Sequence, residues 1–81
     1  MLNLEVETKL SVEEVAKLAK DFFGKKGLGL EVTDENPELL CFEGGGGYVT
    51  TTICAEKGKT RVTLVTQEWE YQIKEFASKL S

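Results

Sequence analysis

A chain of 81 residues has room for one domain, residues 1–81, and a domain of that size buries only roughly 60% of the surface its unfolded chain exposes. Hydrophobic residues make up 41% and charged residues 30%, the balance of a globular domain, which excludes a disordered tail. The net charge of -4 and a single arginine, Arg61, leave no guanidinium cluster for a run of phosphates, so no nucleic-acid partner is expected.

Leu2, Leu4 and Val6 alternate with Asn3, Glu5 and Glu7, which predicts a first strand that is apolar on one face. Ser11 and Glu14 then form a capping box, with Leu10 and Val15 placed as a hydrophobic staple. Val12, Val15, Ala16, Ala19, Phe22 and Phe23 follow at helical spacing, and Gly24 or Gly27 is expected to supply the left-handed residue that ends this helix. Leu28, Leu30 and Val32 alternate with Gly29, Glu31 and Thr33 as a second strand, and Asp34 to Pro37 read as a turn, because proline has no N–H for a ladder. Leu40 and Phe42 mark a third strand, and the glycines from Gly44 to Gly47 read as its loop. The fourth strand turns Val49, Thr51, Ile53 and Ala55 to one side and Tyr48, Thr50, Thr52 and Cys54 to the other. After a turn at Lys57 and Gly58, the fifth strand carries Val62 and Leu64 inward. Trp69, Ile73, Phe76, Ala77 and Leu80 make the buried stripe of a second helix. The reading is an α+β domain, one antiparallel sheet of about five strands with two helices on one face, in the order β-α-β-β-β-β-α.

Strand pairing is constrained further, since a slip of one residue turns a whole apolar set outward. A two-residue turn at Lys57 and Gly58 sets Ile53 against Val62 and Thr51 against Leu64 inside, with Cys54 against Arg61 and Thr52 against Thr63 outside. With the glycines as the other loop, Phe42 meets Val49 inside, while Glu43 meets Tyr48, Cys41 meets Thr50 and Leu39 meets Thr52 outside. Cys41 and Cys54 then lie too far apart for a disulfide and read as reduced thiols. The outer face gathers Leu39, Cys41, Thr50, Thr52, Cys54, Thr63 and Val65, with Glu5, Glu7 and Glu31 around them.

Little catalytic chemistry is on offer. The chain has no histidine, so the commonest general base and metal ligand is missing. Ser11 is committed to its cap, and two separated cysteines make no zinc site; no catalytic residue, metal or cofactor is expected. A thiol-dependent enzyme would require Arg61 to activate Cys54. The run Gly44, Gly45, Gly46 and Gly47, with Tyr48 beside it, invites comparison with phosphate loops, but a strand follows it and no lysine and hydroxyl trail it, so a hairpin tip is expected. The basic pairs Lys25 with Lys26 and Lys57 with Lys59 read as solvated turn residues. Glu5 and Glu7 stand where a signal peptide needs a basic start, and no stretch reaches the length of a membrane span, so a cytoplasmic protein without membrane contact is expected.

In inferred topology alone the order β-α-β-β-β-β-α resembles the repeat of TATA-binding proteins and a minimal helix-grip domain. The first resemblance implies a curved sheet whose open face meets DNA, for which the present face is acidic where a saddle would be basic. The second implies a small apolar ligand held between the sheet and the last helix, with the glycine loop and Tyr48 at its mouth. From the residues, the leading expectation is a non-catalytic interaction module that meets a protein partner or a second copy of itself through the open sheet face.

Overall fold

A computed structural model describes residues 2–25, 27–36 and 38–80. The expected roles of Pro37 in a turn and of Lys26 beside Lys25 lie outside the described residues. The elements run β1 (Leu2–Thr8), α1 (Val12–Phe23), β2 (Glu31–Asn36), β3 (Leu39–Gly44), β4 (Gly47–Glu56), β5 (Lys59–Gln67) and α2 (Glu70–Leu80). The strands form one antiparallel five-stranded sheet in the spatial order β1-β5-β4-β3-β2, which places β1 beside β5.

Local chemistry sets the helix ends. The Ser11 hydroxyl accepts the Glu14 N–H at 3.2 Å and the Glu14 carboxylate accepts the Ser11 N–H at 3.1 Å, so two N–H groups that no helical turn could satisfy are paired. At the other end Gly24 is extended rather than left-handed, with φ -77°, which corrects the expected cap. Close approach explains the glycine there instead: a Cβ on Gly24 would stand 2.3 Å from the Lys20 carbonyl oxygen, and one on Gly27 2.0 Å from that of Phe22.

α1 lies over β3 and β4, and α2 over β1 and β5. Between helices and sheet sit Val15, Ala19, Phe23, Leu40, Phe42, Val49, Ile53, Val62, Leu64, Ile73 and Phe76, all essentially inaccessible to water. Phe23 is the hub, its ring centroid 5.0 Å from Phe22, 5.4 Å from Phe42 and 5.1 Å from Phe76. Each of these valine, leucine, isoleucine and phenylalanine side chains contributes about 1.5–3 kcal/mol by leaving water, which is what holds both helices to one face.

The registers of β3 with β4 and of β4 with β5 are those the apolar pattern selected. The second strand is not. It begins at Glu31, all six of its residues are exposed, and the expected turn residues Asp34 and Asn36 are part of it. Leu28 and Leu30, which looked like its apolar face, instead close the end of α1, their N–H groups donating to the carbonyls of Phe22 and Phe23 at 3.0 and 2.9 Å. Leu30 is buried there. Asn36 pairs with Leu39 of β3, and the Asn36 side chain accepts the Glu38 N–H at 3.1 Å.

Candidate interaction face

Neither helix covers the second face of the sheet. Strand pairing lays its residues out in rows. Leu39, Thr52, Thr63 and Glu5 stand side by side across β3, β4, β5 and β1, and Cys41, Thr50, Val65 and Asn3 form the next row. Six of the seven expected face residues, Leu39, Cys41, Thr50, Thr52, Thr63 and Val65, are therefore brought together as an uncharged patch. Thr52 is exposed and the other five are half-buried. Cys54 lies one row further out, paired with Arg61, which in turn pairs with Glu7, at the edge of the patch. β2 adds Asp34 beside Cys41 and Asn36 beside Leu39, two residues expected in a turn.

A charged group closes the Cys54 end. Arg61 Nη2 lies 3.0 Å from a Glu56 carboxylate oxygen, its Nε lies 3.9 Å from Glu5, and Lys59 Nζ lies 2.6 Å from Glu7. The hydrogen bond from Lys59, and then its charge, hold the Glu7 carboxyl below its ordinary range, and the same bond raises Lys59. Arg61 is thus engaged by carboxylates, while the contact made by the exposed Cys54 sulfur is its neighbour Ala55's carbonyl at 3.9 Å. Cys41 and Cys54 are both free thiols.

The glycine run sits at the opposite end. Gly44 pairs with Gly47, so the loop is only Gly45 and Gly46, with φ of 60° and 84°, a two-residue turn of the type that requires left-handed backbone at both positions. Trp69, expected within the stripe of the second helix, instead precedes α2 and closes over this hairpin. Its indole N–H donates to the Gly44 carbonyl at 3.0 Å. A Cβ on Gly45 would stand 2.7 Å from the Trp69 ring, and one on Gly47 2.1 Å from the Gln67 carbonyl oxygen. These glycines are explained by the close approach of their neighbours. Tyr48 is half-buried beside them, facing Glu43 and Gln67 across the strands.

The space between sheet and α2, where a helix-grip ligand would lie, is occupied by Ile73, Phe76 and Leu64. A surface groove of about 730 Å³ does open at the far end of the sheet from Tyr48, lined by Thr8, Leu10, Lys59, Lys79 and Leu80 among others. Among the described residues no group of histidine, cysteine, aspartate and glutamate side chains is placed to hold a metal, and no helix is long and apolar enough to cross a membrane.

No protein-family model and no curated protein matches the chain. Among solved structures it is similar to the Aha1 dimer of Colwellia psychrerythraea, determined in solution, with a TM-score of 0.56 and 15% sequence identity over 99% of this chain and 96% of that one. At that identity the likeness establishes the shared α+β fold and nothing finer.

Proposed function

We propose that this chain is a non-catalytic interaction module that self-associates through its open sheet face. One observation carries the reading: Leu39, Cys41, Thr50, Thr52, Thr63 and Val65 form an uncharged, half-apolar patch at the centre of a face no helix covers, with charge confined to its margins. Five strands about 4.8 Å apart and some seven or eight residues long present about 600 Å² in projection, close to the ~800 Å² per partner of a stable complex once side-chain relief is included. The similar Aha1 structure is a dimer, which supports self-association as something this fold accommodates.

The test is a variant carrying Thr50→Lys and Thr52→Lys. Both side chains point away from the core, so each substitution costs the fold no more than about 1 kcal/mol, whereas two unpaired ammonium groups at the centre of a contact cost several kcal/mol. Sedimentation equilibrium should show a larger mass for the wild type than for the variant at equal concentration. A wild type that is monomeric at every concentration, or a variant of unchanged mass, defeats the reading.

A further inference from the structure

We infer that the free edge of β1 pairs antiparallel with β1 of a second copy, about a two-fold axis at Leu4, so that two open faces lie side by side on one continuous sheet. This contact uses different residues from the face-to-face contact and does not depend on it.

The strand order leaves two edges, β1 and β2, and they are built differently. β2 carries the devices that keep an edge unpaired: its register shifts between Val32 and Asp34, every residue is exposed, and Glu31, Asp34 and Glu35 charge both of its sides. β1 has none of these. Its seven residues pair without interruption against β5, and Leu2–Thr8 contains no proline, lysine or bulge. Its inward residues Leu2, Leu4 and Val6 stay half-buried, although their partners Thr66, Leu64 and Val62 on β5 are fully buried. The edge therefore leaves apolar surface in water on the helix side, and its outer backbone groups are not used by β5.

With a second copy as the partner, charge selects the register. A two-fold axis normal to the sheet keeps both helix layers on one side, so each residue must oppose one of the same facing. An axis at Glu5 sets Glu5 against Glu5 of the second copy, and one at Val6 sets Glu5 against Glu7 twice. Within Leu2–Thr8, an axis at Asn3 pairs only residues 2–4. The axis at Leu4 sets Leu4 against Leu4 and Leu2 against Val6 in one apolar row, and it sets Asn3 against Glu5 twice, an amide facing each carboxylate.

The experiment changes Asn3, which is exposed and outside the core. Asn3→Glu and Asn3→Lys are made in the full chain, both alone and together with Thr50→Lys and Thr52→Lys, which removes the face contact. Like charges opposed twice should raise the edge dissociation constant roughly 2- to 30-fold for Asn3→Glu, and opposite charges should lower it by a similar factor for Asn3→Lys. Amide exchange should slow with protein concentration in β1 and not in β2. Equal dissociation constants for all three residues at position 3, or no concentration-dependent protection in β1, would overturn the edge contact. The face reading is judged separately, by whether the lysine pair lowers the mass of the wild-type assembly.

Discussion

Thr51 sits on the central strand β4 with its side chain in the core, fully buried between Leu40 and Leu64. Its hydroxyl oxygen has no hydrogen-bond partner among the described residues. A buried hydroxyl left unpaired costs about 1–3 kcal/mol, and valine keeps the same branched shape and strand preference without that cost. Thr51→Val should therefore raise the unfolding free energy by about 1 kcal/mol or more and the melting temperature by about 4–8 °C per kcal/mol in a domain of this size. Urea unfolding should show a higher midpoint at unchanged slope. Two neighbouring threonines supply the control, because the buried hydroxyls of Thr66 and Thr60 donate to the carbonyls of Tyr48 and Leu10, each at 2.6 Å. Thr66→Val should lose about 1 kcal/mol, since it strips a made bond from a buried site. If Thr51→Val and Thr66→Val move stability in the same direction, the distinction between a satisfied and an orphaned hydroxyl is wrong.

Gly45→Ala combines a left-handed backbone with a Cβ driven into Trp69, and should cost about 2–4 kcal/mol by chemical denaturation. Ser11→Ala removes one half of the capping box and should cost about 1 kcal/mol, with the loss of amide protection concentrated in the first turn of α1. Because the folded Glu7 carboxyl titrates below its unfolded value, its pairing with Lys59 adds stability above the ordinary carboxylate range and loses it as pH falls through the lowered value. Glu7→Gln should accordingly flatten the acid limb of stability against pH slightly, and the difference should vanish at high salt because both side chains are solvent-exposed.

The three central strands and their register were legible because each alternates cleanly, and both hairpins had to agree on which side was core. The inward facing of Val49, Ile53, Val62 and Leu64 leaves few pairings, and a two-residue turn at Lys57 and Gly58 picks out the observed one. β2 was not legible. Glu31–Asn36 is wetted on both sides and held by backbone bonds to β3, so no apolar period marks it, while the alternation that Leu28 and Leu30 do show belongs to a loop plugging the end of α1. The consequence reached the candidate face, because Asp34 and Asn36 join its margin only once β2 is correctly placed. The glycine run signalled a turn but not its length. Gly44 and Gly47 are strand residues whose lack of a side chain admits Leu30 and Gln67, contacts between segments that no local pattern announces. Trp69 was missed as the partner of this hairpin for the same reason, its spacing from Ile73 fitting a helical stripe equally well.

The two cysteines provide the most direct probe of the open face, since Cys41 lies within the uncharged patch and Cys54 lies at its charged end. Alkylation of the native protein, followed by peptide mass measurement at rising protein concentration, reports burial of each thiol separately. Association through the face predicts that Cys41 becomes progressively slower to react while Cys54 changes much less. A Cys41 rate that stays constant from dilute to concentrated protein would contradict it.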